Sequence, residues 1–162
     1  MIQYVKGDIL LPEADALVHG VAPQDDFKQG LALSLRENWP SLYKDFRHYC
    51  KTTHPKEGEL WSWKGPQGPA IVNMMTQEHP SSPNTHPGKA KLKHLNHCLR
   101  NLHKEIKEND YKSLAITKIA TGVGGLDWSD VKPMLEDSLA DLDIPVYIYE
   151  TYEKGVKATE KH

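Results

Sequence analysis

Cysteine is scarce in this chain of 162 residues, with Cys50 and Cys98 the only two. Two thiols far apart in sequence cannot build the dense disulfide framework of small secreted domains, so a reduced compartment is expected. Long apolar runs are missing as well. No stretch approaches the roughly 20 consecutive apolar residues of a spanning helix, and Met1-Ile2-Gln3-Tyr4 opens directly into strand-like sequence without a signal peptide. A cytoplasmic location, with no membrane as partner, is the expectation. Excess charge of either sign is lacking too, since 20 Lys and Arg stand against 22 Asp and Glu. No global positive field exists to hold nucleic acid through phosphate contacts alone, so direct nucleic-acid binding is not expected. An anionic ligand must be met by a local site.

What is present is a globular balance, 38% hydrophobic and 26% charged, in a length that suits one compact domain of roughly 100–150 residues. Strand-like and helix-like segments alternate, which is the signature of an α/β fold with a mixed, mostly parallel sheet between helices. Ile2 to Lys6, Ala16 to Val21, Gly58 to Gly65, Ala70 to Met75, Ser113 to Ala120 and Ile144 to Tyr152 read as strands. Gln29 to Trp39 is helical, and Pro40-Ser41 restarts a helix through about Cys50. Leu92, Leu95, Leu99, Leu102 and Ile106 lay one apolar stripe along a helix over Lys89 to Asn109. Ser129 to Leu142 is the last helix, with Pro133 expected to kink its opening turn. Glu78 to Gly88, with three prolines, is an irregular surface loop. The domain is expected over residues 1–152, followed by a polar tail, 153–162, that lacks periodicity and frays.

The segment Ile116 to Ala120, then Thr121-Gly122-Val123-Gly124-Gly125, then a helix, is a strand–loop–helix unit whose loop has almost no side chains. Two readings are open. Backbone amides in such a loop can approach a phosphate closely, aided by the dipole of a helix N-terminus; or the glycines serve only a tight turn that needs positive φ. Asp8, after the first strand, is either an acceptor for an exocyclic amine or the head of an Asx-turn. His19 ends a buried strand and could position or protonate a phosphate or a leaving oxygen near neutral pH, or simply bond to backbone. Asp25 and Asp26 could orient water beside it, or be solvated loop acids.

The run Gly122 to Val131 resembles the second phosphate loop and following helix of macrodomains. The nearest branch contains terminal ADP-ribose glycohydrolases and the antitoxins that reverse DNA ADP-ribosylation. Tyr4 to Leu10 is similar to that family's opening strand and Gly-Asp-Ile turn, Ala16 to His19 to its next strand, and Gln29 to Ala32 to the end of its first ligand loop. Ile71 to Gln77 and Ile144 to Tyr152 follow in the same order, so the likeness spans about residues 1–152. It implies a three-layer fold holding ADP-ribose, with Asp8 at the adenine and Ile9 among the ligand-binding residues. Gly30, Leu31, Ala32 and Thr76 line the cleft, and Thr121, Gly122, Val123, Gly124 and Gly125 wrap the diphosphate and distal ribose. His19 resembles a histidine of the terminal glycohydrolases and of yeast-type ADP-ribose 1″-phosphate phosphatases.

The chain departs from that pattern where chemistry is done. The glycohydrolases and antitoxins carry a lysine directly after the position of Thr76, and here it is Gln77, whose amide cannot replace an amine as nucleophile. A catalytic aspartate of the glycohydrolases aligns with Gly124, although the antitoxins also have glycine there. No asparagine occurs in Gly20 to Lys28, where many macrodomains present one to the ribose. Lysine-dependent removal of ADP-ribose is therefore disfavoured. The expected function is binding of free or terminal ADP-ribose. The rivals are a phosphatase or other hydrolase acting through His19, with Asp25 or Asp26, and, more distantly, a nucleic-acid module using the basic helix face of Lys93, His97, Arg100, Lys104 and Lys107. His94, His97 and Cys98 have zinc-like spacing, but Cys98 falls on the apolar stripe and no metal or cofactor is expected. The partner is ADP-ribose or an ADP-ribosylated molecule, and the chain is expected to be a monomer. A bulky residue at Gly124 is expected to block the diphosphate while leaving the fold intact.

Overall fold

A computed structural model describes residues 1–82 and 85–160. Six strands and four helices are arranged as β1 (Ile2–Gly7), β2 (Ala16–Val21), α1 (Gly30–Asn38), α2 (Pro40–Thr53), β3 (Leu60–Trp63), β4 (Ala70–Met75), α3 (Leu92–Asn109), β5 (Leu114–Thr117), α4 (Trp128–Leu139) and β6 (Val146–Tyr152). They build one sheet in the order β1-β6-β5-β2-β4-β3, in which only the β3/β4 pairing is antiparallel. The α/β expectation and the mixed, mostly parallel sheet are what the chain forms.

The inner strands β2, β4 and β5 and the first part of β6 are buried on both faces, and their side chains divide by the two-residue period of a pleated strand. Ala16, Val18, Val72, Met74, Leu114, Ile116, Val146 and Ile148 point into a core shared with Leu95, Leu99, Leu102 and Ile106 of α3 and with Val131, Leu135 and Leu139 of α4. Leu17, Val21, Ile71, Met75, Ala115 and Tyr147 point the other way, onto Leu35 of α1 and Leu42, Phe46 and Cys50 of α2. Three layers result. Each fully buried aliphatic side chain of the α3 stripe contributes about 1.5–3 kcal/mol, which holds the long helix on the sheet despite its polar outer face.

Several boundaries move for physical reasons. Helix α3 begins at Leu92, because Lys89 and Ala90 are drawn into backbone pairing with Glu78 and Gln77. Pro133 lies inside α4, where it forgoes a hydrogen bond to Ser129. Trp61 packs on Phe46 and stacks on Tyr49 at 5.2 Å, and Trp63 Nε1 donates to Asp45 at 2.8 Å, so both tryptophans cover the sheet. The irregular loop after β4 includes positions 83 and 84, which lie outside the described residues.

The tail is a correction. Fraying was expected over 153–162, yet its described part, 153–160, is docked beside β1. Asp8 N donates to Val156 O at 2.7 Å, Gly155 N donates to Asp8 Oδ2 at 2.9 Å, and Lys157 pairs with Glu13 at 2.7 Å. Ala158 and Glu160 are buried, and Glu160 Oε2 accepts from Glu13 N and the Tyr149 hydroxyl. Lys161 and His162, the last two positions of the expected tail, lie outside the described residues. No described helix is long and apolar enough to cross a membrane.

Candidate functional site

A cavity of about 430 Å³ opens where the parallel strands end, within the size range of small-molecule sites. Strand order lays out its wall. Ile9 after β1 and Tyr149 and Tyr152 of β6 line one flank, Thr117 and the loop after β5 the middle, and His19 and Gly20 of β2 with Gln77 after β4 the other flank.

The middle is made of backbone. Thr121, Gly122, Val123 and Gly124 line the cavity. The loop is closed by Leu126 N donating to Ala120 O and Gly125 N to Gly122 O, which leaves the N–H groups of Gly122, Val123 and Gly124 unpaired among the described residues. Opposite them stands the N-terminus of α1, whose Gly30, Leu31 and Ala32 also line the cavity and whose cap residue, Gln29, makes no side-chain capping bond. Two sets of orphan donors therefore converge with a helix dipole, the standard makings of a phosphate cradle. The backbone is held in unusual conformations to do this: Gln24, Phe27 and Ala120 all have positive φ. Such non-glycine residues carry strain of about 1–3 kcal/mol each. Phe27 is fixed in place by Phe46 and Tyr43, at centroid distances of 5.0 and 5.5 Å.

The glycines of the loop have separate jobs. Gly125 takes φ +78°, whereas Gly124 does not need positive φ; a Cβ on Gly124 would lie 2.6 Å from Ala120 O and 2.9 Å from Ala90 Cβ. Close backbone approach, not ligand clearance, excludes a side chain there, so the expectation that Gly124 can be enlarged without cost to the fold is wrong. Gly122 is the open position, with nothing within 4 Å of its would-be Cβ.

The β2/β4 flank is made of side chains already committed. His19 is 1% exposed. Its Nε2 lies 2.6 Å from Asn73 Oδ1, and Asn73 spends its Nδ2 on the carbonyls of Trp61 and Ile71. Asn73 Oδ1 can only accept, so His19 carries its proton on Nε2 and leaves Nδ1 as a bare acceptor. Burial pushes the imidazole down to about 4, against a smaller upward pull from Asn73. Asp25 is not a solvated loop acid: its two oxygens accept from Phe27 N at 2.8 Å and Ala22 N at 2.9 Å, and burial pushes it up to about 6 despite those bonds. Asp26 accepts from Lys28 N and meets His86 at 3.2 Å. Gln77 lines the cavity with its Nε2 donating to Gly88 O at 3.1 Å.

Three of the expected site residues do not line the cavity. Asp8 is buried beside it, with Oδ1 accepting from Leu10 N at 3.0 Å, an Asx-turn, and Oδ2 from Gly155 N. Thr76 is fully buried and its hydroxyl has no partner among the described residues; it packs under Gly20, where a Cβ would meet Oγ1 at 2.6 Å. Gly125 sits behind the loop, against Lys89. Asn73, Tyr149 and Tyr152 escaped sequence reasoning, although the tyrosine-rich alternation of the closing strand hinted at the last two. Trp128 Nε1 donates to Glu150 at 2.9 Å beneath Lys118, tying the start of α4 to β6. His94, His97 and Cys98 do not converge: the Cys98 thiol is buried, donates to Glu59 O at 3.6 Å and is pushed up to about 12 by burial.

Comparison with known proteins agrees with this geometry. The family model described as Macro domain matches residues 27–135. The chain is 30% identical over 153 residues to the DNA ADP-ribosyl glycohydrolase of Mycobacterium tuberculosis, covering 92% of this chain and 42% of that protein. It thus spans about two fifths of that relative's length. The human ADP-ribose glycohydrolase OARD1 is 24% identical over 151 residues, with 91% of this chain and 90% of that one covered. Among solved structures, the macrodomain of Mycobacterium tuberculosis DarG superposes with a TM-score of 0.81 at 28% identity, covering 92% of this chain and 97% of that one.

Proposed function

The chain belongs to the Macro domain family, and from that premise we propose that it binds ADP-ribose, free or as a terminal group, along the carboxyl ends of its parallel strands. The observation that carries this reading is the set of unpaired N–H groups at Gly122, Val123 and Gly124, facing the uncapped N-terminus of α1 across the cavity. A diphosphate satisfies both sets at once, without any net positive charge on the protein. With the diphosphate there, the adenosine runs toward β1 and β6 and the distal ribose toward β2 and β4. Adenine offers a donor and an adjacent acceptor on one edge. The Asp8 carboxylate, with two of its four acceptor sites still open, and the unpaired Ile9 N–H are the matching pair. In this proposal the protein is a cytoplasmic monomer whose binding domain takes in the docked segment 153–160.

Binding is expected without fast release of ADP-ribose from protein or DNA. Where the resemblance places a lysine, Gln77 offers an amide, and of the other described polar side chains of that flank only the buried Thr76 hydroxyl and His19 Nδ1 are unengaged. Phosphate-ester hydrolysis is the second reading, favoured by the bare Nδ1 of His19. A neutral imidazole with its one proton given to Asn73 can act as a base toward water and cannot protonate a leaving group. Titration calorimetry with ADP-ribose and with ADP-ribose 1″-phosphate, followed by product analysis of the second mixture, separates the two. Micromolar ADP-ribose binding, roughly −8 kcal/mol, with no phosphate released supports the first reading. Phosphate release abolished by His19→Ala supports the second, and no binding of either ligand refutes both.

A further inference from the structure

A second cluster of metal-ligating side chains lies outside the cavity, at the start of the loop that follows β4. Glu57, from the connection between α2 and β3, meets Glu78 and His79 so that one ligand atom from each falls within 4.8 Å of the others. His79 Nδ1 stands 2.9 Å from Glu57 Oε2. His94, in the first turn of α3, stands beside this group without belonging to it: its Nε2 lies 3.5 Å from Glu78 Oε2 but not within 4.8 Å of all three ligand atoms. That nitrogen is fully buried and makes no hydrogen bond among the described residues, although Glu78 Oε2 stands 3.5 Å away. A ring nitrogen sealed from water and aimed at a carboxylate without bonding to it is costly unless something else takes its lone pair.

We propose that Glu57, Glu78 and His79, joined by the unpartnered His94 on rotation of its side chain, form a structural site for a divalent transition metal of the zinc type. Two imidazoles and two carboxylates are a donor set that suits zinc and is too nitrogen-rich for calcium or magnesium. Ligand atoms around a tetrahedral zinc with bonds near 2.0–2.1 Å stand about 3.3 Å apart; the His79–Glu57 and His94–Glu78 contacts of 2.9 and 3.5 Å are near that edge, and the wider separations, up to 4.8 Å within the three-residue group, close by side-chain rotation on binding. Lys91 Nζ, 2.5 Å from Glu78 Oε1, holds the other oxygen of that carboxylate and leaves Oε2 for the metal. Two carboxylates, Lys91 and two neutral imidazoles carry a net charge of −1, which attracts a divalent ion, and the unpartnered His94 Nε2 gains a partner. The ion would pin three segments distant in sequence. One of them is the loop from Glu78 to Gly88, which reaches the cavity rim at Pro87 and takes the Gln77 side chain on Gly88 O.

The test uses the full chain, free of any affinity tag and stripped with chelator, titrated with Zn²⁺ by calorimetry and with Co²⁺ by visible absorption. One equivalent should bind, Co²⁺ should show the intense bands of tetrahedral coordination, and saturating Zn²⁺ should raise the melting temperature by about 5 °C or more. His79→Ala and His94→Ala should each weaken Zn²⁺ by at least about 10–100-fold, the loss seen even for outer partners of a metal ligand. The nearly isosteric Glu57→Gln should do the same in a chain whose circular dichroism is unchanged, which covers the case of a histidine variant that fails to fold. His97→Ala, one helical turn from His94, should leave affinity within a few-fold. Wild-type binding no tighter than that of the His79→Ala/His94→Ala double variant would overturn the site, as would loss on His97→Ala but not on Glu57→Gln. ADP-ribose affinity measured on the same samples is an independent readout, so failure here does not touch the proposed function.

Discussion

The two halves of the cavity are built from different materials. The glycine loop and the start of α1 present backbone N–H groups that have no partner, whereas on the β2/β4 flank almost every polar side chain is already engaged. His19 is tied to Asn73, Asp25 to Ala22 and Phe27, and Gln77 to Gly88. Donors left open at no reorganisation cost make a binding surface; side chains satisfied by the fold make a wall. The contrast is the basis of the proposal that the site holds a diphosphate ligand without rapid turnover.

The sharpest way to break the contrast is to give the wall a nucleophile. Gln77→Lys places an amine at the cavity in a side chain of similar reach, and it should speed release of ADP-ribose from a modified substrate by about 10²–10⁴-fold. Single-turnover assays of the two proteins at matched occupancy check it; equal rates would mean that the lysine position is not what separates binding from turnover here.

Acid should weaken the wall through His19. The folded-state value of about 4 lies below the ordinary 6.5, so its contribution to stability is fully present above pH 6.5 and lost as pH falls through 4. The loss amounts to about 3 kcal/mol at most. Asp25 acts with the opposite sign. Raised from 3.8 to about 6, its contribution is full below pH 3.8 and lost as pH rises through 6, so the two partly cancel in the wild type. Urea unfolding from pH 7 to 4 should therefore show His19→Gln gaining on the wild type by about 3 kcal/mol over that range, and parallel curves would place His19 in water.

Within the loop, two glycines should fail differently. Gly124→Val drives a side chain into Ala120 and Ala90 and should cost about 1–3 kcal/mol of stability, read as a lower melting temperature. Gly122→Val enters open space and should leave melting unchanged while weakening ADP-ribose by about 1.4–2.8 kcal/mol, ten- to a hundredfold. The reverse pattern would make Gly122 the packing glycine.

The smallest effect is expected at the adenine end. Asp8→Asn keeps an acceptor for the Leu10 turn but loses the charge, and should weaken ADP-ribose about tenfold, near the value of a hydrogen bond to a charged group. Ribose 5-phosphate, which has no adenine, should be unaffected, so calorimetry with both ligands isolates the role. Asp8→Ala is the poorer choice, because it loses the Leu10 turn as well as the Gly155 bond, which the Asn variant, with Nδ2 in place of Oδ2, already gives up.

Much of this was legible before the structure. The stripe from Leu92 to Ile106, the apolar runs of β2 and β4 and the restart at Pro40 placed the elements through local periodicity, and the glycine loop announced itself by composition. What escaped depended on partners far away in sequence. Residues 153–160 have no periodicity of their own and are held by Asp8, Glu13 and Tyr149, more than 100 residues away in the first two cases, so they read as a fraying tail. Asp25 read as one of two solvated acids, although a carboxylate two residues before Phe27 and three after Ala22 is well placed to cap both amides. Gly124 and Gly125 are alike in sequence and differ only in φ and in what stands behind them. The cluster at Glu78 needed the α2–β3 connection brought beside α3, which no spacing within either segment reveals.

The most direct measurement of the central claim is a paired assay on the wild-type protein: calorimetric affinity for ADP-ribose, and release of ADP-ribose from modified DNA and modified protein at enzyme excess. The account predicts micromolar binding with release that stays near the uncatalysed rate. Brisk release from either substrate, undiminished in His19→Ala, would contradict it, since the engaged side chains of the β2/β4 flank would then hold a catalytic group.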